Sequence, residues 1–116
     1  MEDIKERSNV LEACVANAQS LKDLIDYSDD SIVSKTIIDK PVGTITIFAF
    51  DKGQGLSEHT VRYNAMVEVI EGVGTIKIGE QKKEVKAGQV IIMPANVSHA
   101  VNADSRFKML LTMIRA

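Results

Sequence analysis

The stretch "GLSEHTVRYNAMVEVIEGVGTIKIG", residues 55–79, contains two short β-branched segments, NAMVEVIE and GTIKIG, on either side of Gly72. Short segments of this kind, bounded by Gly and Asn, are typical of β-strands joined by tight turns. Only one histidine, His59, stands where a metal-binding hairpin would carry a cluster of ligands. The stretch therefore predicts a β-hairpin whose site is a weakened metal centre, a metal-free active site or a simple pocket.

Short β-branched segments of the same kind continue through most of the chain after "DDS" at residues 29–31. Further candidate strands are SIVSKTII, GTITIFAF, KKEVKA, QVIIMP, SHAVNA and FKMLLTMI. Turn-forming residues such as Pro41, Gly43 and Gly88 separate them at the close spacing expected of an all-β sandwich or barrel. We assign residues 31–116 to this β-barrel and residues 1–30 to an N-terminal extension.

The N-terminal extension is expected to contain one short helix. In "SLKDLIDY", Ser20 is placed to cap a helix, and Leu21 and Leu24 fall on one helical face. The pattern from Val10 to Ala18 fits either a helix or a strand. The first nine residues are charged and without clear period, so we expect them to be frayed or weakly helical.

Length and charge exclude several classes of protein. The 116 residues are enough for one hydrophobic core, so we expect one domain. The 14 Lys and Arg residues are scattered and the net charge is −2, which argues against nucleic-acid binding. No apolar run approaches the roughly 18 residues that a membrane helix needs, and the charged start "MEDIKERSNV" lacks the centre of a signal peptide. We therefore expect a cytoplasmic protein without a membrane partner.

The last strand predicts both a core face and an outer face. Because Arg106 and Lys108 are unfavourable to bury, alternation places one set inward: Phe107, Met109, Leu111 and Met113. The outward set is then Leu110, Thr112 and Ile114. An outward apolar row requires a second layer, and in a short chain a second copy is the simplest one. We expect a homodimer.

The first motif resembles that of the small single-domain cupins. That motif is a glycine, five residues, a histidine, one residue, a second histidine, three or four residues, a glutamate, six residues and a glycine. Gly53, His59 and Gly72 match it in register. Val61 replaces the second histidine, and Ala65 replaces the glutamate.

A second cupin motif follows one hairpin later. It is a glycine, five residues, a proline, one residue, a glycine, two residues, a histidine, three residues and an asparagine. Gly88, Pro94 and His99 match, and Asn102 falls one residue short of the final position. Asn96 replaces the second glycine, which is tolerable because asparagine visits the left-handed conformation.

The resemblance implies a double-stranded β-helix, also called a jelly-roll barrel, which holds one divalent ion between three histidines and a glutamate. The ion is Fe, Mn, Zn, Ni or Cu, depending on the family member. This chain supplies only His59 and His99, so a metal would bind weakly unless another group replaces the missing ligands. Tyr63 or Asn64 would serve if a bulge turned one of them inward.

Three functions remain open at this stage. The first is a pocket for a small polar or anionic molecule, with or without a metal; its lining residues are His59, His99, Val61, Tyr63, Ala65, Phe107 and Met109. The second is a metal-free isomerase or epimerase, in which a histidine transfers a proton and Tyr63 assists. The third is a metal-dependent oxygenase or isomerase. The sequence does not decide whether the protein is an enzyme.

Overall fold

The computed structural model describes residues 2–6 and 10–115, with side chains in the second range only. One short helix, α1 (Val10–Cys14), lies within these residues, together with a 3-10 turn at Leu21–Asp23. The strands, in chain order, are β1 (Glu2–Glu6), β2 (Ser31–Lys40), β3 (Gly43–Phe50), β4 (Gly55–His59), β5 (Ala65–Glu71), β6 (Val73–Ile78), β7 (Gln81–Lys86), β8 (Val90–Met93), β9 (His99–Asn102) and β10 (Phe107–Ile114).

The strands form two sheets packed face to face. The larger sheet has the order β1-β2-β3-β10-β5-β8, and the smaller has the order β4-β9-β6-β7. All neighbouring strands are antiparallel except β1 and β2. This architecture confirms the predicted all-β jelly roll. The division into two parts at residue 30 stays a prediction.

The core lies between the sheets and is centred on two aromatic rings. Phe50 and Phe107 are neighbours on β3 and β10, and their rings stack with centroids 4.8 Å apart and planes 4° from parallel. Both are fully buried, together with Met109. From the small sheet, Gly74 brings its backbone directly against the Phe107 ring. The predicted inward positions of Phe107 and Met109 are therefore correct.

The N-terminal extension differs in detail from the sequence-based expectation. The α-helix begins at Val10, in the ambiguous stretch, whereas the segment after Ser20 forms only a 3-10 turn without a side-chain cap. The expectation of weak helix over the first nine residues is wrong for residues 2–6, which pair with β2 as a strand. The backbone pairing offered by the edge of β2 outweighs the weak local preference. Residues 1 and 7–9 lie outside the described residues.

The second layer over the outer face of the large sheet comes partly from the chain itself. Ile25 is almost fully buried on Val33, Ile47 and Ala49, and the partly buried Leu110 packs against this cluster. The outward direction of Leu110 is thus as predicted, but the N-terminal extension covers it. A second copy of the chain is not needed at that position.

The N-terminal extension also buries Lys108, although the side chain of Lys108 points to the outer face of the large sheet. Its ammonium donates a hydrogen bond of 2.5 Å to the carbonyl of Lys22, and Nζ lies 4.9 Å from the centre of the Tyr27 ring. The Tyr27 hydroxyl donates a 2.8 Å hydrogen bond to Glu71. Burial and the Glu71 carboxylate raise the pKa of Tyr27, so the hydroxyl stays protonated. These contacts satisfy the buried cation and hold the extension in place.

The other half of the outer face remains apolar and open. On this half, one row of residues crosses five strands in register. The row consists of Ile38, Ile45, Thr112, Met66 and Ile92. Ile92 is 50% exposed and Ile114, beside the row, is 60% exposed. Open grooves lie on both sides of Thr112 and Ile114. The homodimer stays a prediction, and this open half is the surface to which it now applies.

We predict that Gly74→Ala destabilises the fold by about 1–3 kcal/mol, the range for overpacking a core. A methyl group there would lie 2.5 Å from Cε2 of Phe107. The measurement is urea unfolding of the wild type, both single variants and the double variant with Phe107→Leu. The alanine penalty should shrink in the Phe107→Leu background, because the ring edge is gone. An equal penalty in both backgrounds would show that the ring is not the cause.

We predict that the protein sediments as a dimer at micromolar concentration, and that Ile92→Lys shifts it to the monomer. A lysine at the β8 end of an apolar interface would have to be desolvated without a partner. Val15→Lys is the matched control, because Val15 is 64% exposed and lies outside the large sheet. A wild-type monomer, or equal dissociation by both variants, would contradict the assignment.

Candidate functional site

The candidate site lies at one end of the sandwich, where the chain crosses twice between the sheets. β4 ends at His59 and β5 begins at Ala65, while β8 ends at Met93 and β9 begins at His99. We call this end the mouth. Its two connections are joined, because the Asn64 side chain accepts a 2.8 Å hydrogen bond from the backbone N–H of Ala95. A hydrogen bond from backbone to side chain therefore links the two connections of the mouth.

A second backbone contact fixes the turn that precedes His99. The N–H of Asn96 donates a 2.7 Å hydrogen bond to the carbonyl of Val61. Asn96 has φ of +64°, the left-handed conformation anticipated for this replacement of a glycine. The turn thus keeps its shape without the glycine.

A bulge in β4 turns His59 toward the interior side. Leu56 pairs with Val101, but the register then shifts, and His59 rather than Glu58 lies opposite His99. Without the shift, alternation along the strand would place Glu58 on the inner side. Glu58 instead points outward and forms a 2.9 Å ion pair with Lys77. The bulge therefore decides that two imidazoles, rather than an imidazole and a carboxylate, face each other.

The two imidazoles contact each other edge to face. Their ring centroids are 4.5 Å apart and their planes make an angle of 71°. Nδ1 of His59 is 2.8 Å from the carbonyl of Ser57, and Nδ1 of His99 is 3.3 Å from that of Val97. Since a carbonyl only accepts, these contacts are hydrogen bonds in the tautomer that carries the proton on Nδ1. In the neutral rings, both Nε2 atoms then keep a free lone pair.

His99 is the buried member of the pair. It is 2% exposed, whereas His59 is open to solvent. Burial, and next the proximity of His59, lower the pKa of His99, and the bond to the Val97 carbonyl opposes the shift only in part. His99 is therefore neutral at physiological pH.

The opposite wall of the mouth belongs to the large sheet. Ala65 pairs with Met113 on one side and with Met93 on the other, so the three side chains share one face. Ala65 and Met93 belong to the buried core, and Met113 packs against it. This wall is apolar apart from the two thioether sulfurs.

The structure brings only some of the predicted pocket residues together. His59, His99 and Ala65 lie at the mouth, as predicted, and Val61 is in the connection beside them. Tyr63 instead borders the outer groove of about 480 Å³, next to Arg62. The complete predicted pocket stays a prediction.

Phe107 and Met109 are farther from the histidines than a common pocket would suggest. Phe107 pairs with Phe50 at the opposite end of β10 from Met113, and Met109 lies one inward position from Phe107. Both are core residues with no exposed surface.

The residues present do not fit the four-ligand divalent centre that the resemblance implies. In the described part of the chain, no three His, Cys, Asp or Glu side chains come together in a way that would hold a metal ion. Glu58 is occupied by Lys77, and Glu68 pairs with Leu110 and Val90 on the outer face. Two imidazoles alone leave such an ion short of protein ligands. The divalent metal stays a prediction.

Met93 and the Asn64 contact were not anticipated as parts of the site. Met113 was assigned to the core, and Met93 lies in the short strand before Pro94. Their shared pairing with Ala65 is visible only once the strand register is known. The inward alternation of β10 was the one signal in the sequence that pointed toward this wall.

The described residues include no helix of the length and apolarity needed to span a membrane. The cytoplasmic location stays a prediction.

Comparison with known proteins agrees with the fold. The family model described as "Cupin domain" matches residues 46–114, more than half of the chain. No curated protein gives a significant match.

Several solved structures are similar over most of this chain. A conserved protein of unknown function from Streptococcus pyogenes is 33% identical, with a TM-score of 0.84, and the match covers 87% of this chain and 89% of that one. A Cupin 2 conserved barrel domain protein from Leptotrichia buccalis is 35% identical, with a TM-score of 0.77, over 80% of this chain and 45% of that one. A cupin superfamily protein from Desulfitobacterium hafniense is 24% identical, with a TM-score of 0.81, over 84% and 90%. At 24% identity, the likeness to the Desulfitobacterium hafniense protein shows the fold alone.

The family match, the jelly-roll topology and the two histidines paired at the mouth agree with one another, and the chain belongs to the cupin family.

Proposed function

We propose that the protein binds a small polar or anionic molecule at the mouth, in contact with His59 and His99. One observation carries the proposal: each Nδ1 is directed at a backbone carbonyl, at 2.8 Å and 3.3 Å, which leaves each Nε2 available. Two fixed polar atoms beside an apolar wall are the usual composition of a small-molecule site. Binding does not require the missing metal ligands.

The protonation state determines which ligand chemistry fits. At neutral pH, His99 offers a lone pair, which accepts a hydrogen bond from a hydroxyl or amide group. Once protonated, it offers a second N–H donor and a positive charge, which favour a carboxylate or phosphate. The lowered pKa of His99 places the first state at physiological pH.

The arrangement gives less support to proton-transfer catalysis. Within the described residues, the hydrogen bonds of both rings go to backbone carbonyls, and neither ring is oriented by a carboxylate. Tyr63, the suggested partner acid, borders the outer groove. We therefore propose a binding protein, and enzymatic turnover is not part of the proposal.

We predict that at least one class of small molecule raises the melting temperature of the wild type and leaves that of His99→Gln unchanged. The measurement is a thermal-shift screen with EDTA present, using sugars, hydroxy acids, carboxylates and phosphate, followed by calorimetry. A ligand at 100 times its Kd stabilises the fold by about 2.7 kcal/mol. Lys77→Gln is the matched control, since Lys77 pairs with Glu58 on the outer side.

The pH dependence of binding separates the two ligand classes. An anion should bind more tightly at pH 5.5 than at pH 8, because it favours protonated His99, and a neutral hydroxyl compound should show the reverse. The proposal fails if no class of compound stabilises the wild type, or if His99→Gln is stabilised as much as the wild type.

We predict that the folded state loses stability as the pH falls below the ordinary histidine pKa of 6.5. In that range the unfolded chain takes up a proton that folded His99 does not, because its pKa is lowered, so protons favour unfolding. Above pH 6.5 this contribution is fully present. The measurement is the free energy of unfolding in urea between pH 5 and 8.

Two histidine variants identify the residue responsible for the slope of unfolding free energy against pH. His99→Gln should flatten it, whereas His59→Gln should leave most of it, because burial is the larger cause of the shift. A slope unchanged in His99→Gln would assign the effect to another group.

A further inference from the structure

We propose that the outer groove is a second binding site, which takes a small amphipathic monocarboxylate: a molecule with one carboxylate and an apolar body. The observation behind it is an exposed guanidinium, that of Arg62, beside an apolar floor in a groove of about 480 Å³. Neither imidazole of the mouth lines this groove, so the inference does not rest on the proposed function of the mouth.

The floor of the outer groove comes from three neighbouring strands of the large sheet. Ile92 on β8, Met66 on β5 and Thr112 on β10 lie in register, with Ile114 beside them. Ile92 is 50% exposed and Ile114 is 60% exposed. Contiguous exposed apolar side chains of this size mark a binding surface. The volume of the groove lies within the range of about 300–1,000 Å³ that is usual for small-molecule sites.

The polar part of the groove comes from the connection between β4 and β5. The Arg62 guanidinium lies over the Tyr63 ring, with Cζ 5.9 Å from its centre. Among the residues that the structure describes, no carboxylate forms an ion pair with Arg62. Oδ1 of Asn64 accepts a hydrogen bond from the N–H of Ala95, so the amide NH₂ is what Asn64 offers to a ligand. Guanidinium and amide are both hydrogen-bond donors.

These donors favour a single carboxylate as the polar group of the ligand. The planar guanidinium fork matches the two oxygens of a carboxylate, and such bidentate pairs are stronger than neutral hydrogen bonds. Arg62 is the one charged side chain among the described residues that line the groove. The site therefore neutralises one negative charge, and a cationic amphiphile would meet the wrong sign of charge.

The carboxylate and the apolar body of the ligand are both required. An ion pair in solvent contributes little by itself, so Arg62 would not retain a small carboxylate such as acetate. Exposed apolar side chains such as Met66 and Ile92 retain a ligand only through the area that it buries. A carboxylate held by Arg62 places its apolar body on this floor, and the two contributions then act together.

The floor of the outer groove also belongs to the surface on which the homodimer is predicted. A second copy packed on Met66 and Ile92 would cover the place of the apolar body. The carboxylate and the second copy therefore exclude each other, and the ligand binds the free face. Its binding opposes dimerisation by mass action.

The experiment is a titration of the purified, tag-free protein with hexanoate, followed by amide NMR and calorimetry. It is made in EDTA, at a protein concentration at which sedimentation gives the monomer. Hexanol is the matched probe without the charge, and acetate is the matched probe without the apolar body. We expect one hexanoate per chain, with affinity reduced at high salt, and at least about tenfold weaker binding of either matched probe.

The variants test the two halves of the groove. Arg62→Gln should weaken hexanoate binding by about tenfold, and Arg62→Lys should restore only part of it, because lysine lacks the planar fork. Ile92→Thr should also weaken binding. Val42→Thr is its matched control, because Val42 is 61% exposed and lines the smaller groove on the other side of Ile114. Circular dichroism melts check that all variants are folded.

Four outcomes would overturn the proposal. The first is the absence of saturable binding of hexanoate, and the second is an equal affinity for hexanol. The third is an Arg62→Gln variant that binds hexanoate as tightly as the wild type. The fourth is an equal loss of affinity in Ile92→Thr and Val42→Thr.

The oligomeric state gives an independent readout. At a concentration where the wild type is dimeric, saturating hexanoate should shift it toward the monomer, because ligand and second copy compete for the same floor. A dimer that keeps its size with hexanoate bound would place the ligand elsewhere and would overturn the proposal.

The outer groove and the mouth can be tested separately. His99→Gln should bind hexanoate as the wild type does, and loss of binding in this variant would assign hexanoate to the mouth. Arg62→Gln should keep any compound that the mouth binds. Failure of the groove therefore leaves the proposal for the mouth intact, and failure at the mouth leaves the groove intact.

Discussion

The packing of the Phe107 ring between the two sheets is the constraint on which the rest of the structure depends. One face of the ring stacks on Phe50, and its edge meets the bare Cα of Gly74. Any side chain at Gly74 would push the small sheet away from the large one. The bare Cα of Gly74 therefore sets how closely the two sheets approach each other at this end of the sandwich.

β10 contacts the core between the sheets with one face and the N-terminal extension with the other. Its inner face carries Phe107 at one end and Met113 at the mouth, while its outer face carries Lys108 and Leu110 beneath the N-terminal extension. Lys108 is accommodated there because the Lys22 carbonyl and the Tyr27 ring take the place of water. The same strand is thus fixed from both sides, which suits a strand that lines a binding site.

The sequence predicted the parts of the fold that depend on local pattern. Alternation over GTITIFAF and FKMLLTMI gave the bounds of β3 and β10, and Asn96 was expected in the conformation it adopts. The strand β1 was missed, because its pairing with β2 is a long-range contact that no local pattern reveals. The burial of Lys108 was missed for the same reason: its partners lie far away in the chain.

The candidate site was predicted as far as its two histidines, and the remainder depended on register. His59 and His99 were identified from motif spacing, but the opposite wall follows from which residues pair with Ala65. A glutamate at that position would place a carboxylate between Met93 and Met113 and favour a hard cation. Alanine leaves a methyl group there, flanked in register by Met93 and Met113. The alanine therefore removes a charged side chain from the mouth and leaves the two imidazoles beside an apolar wall.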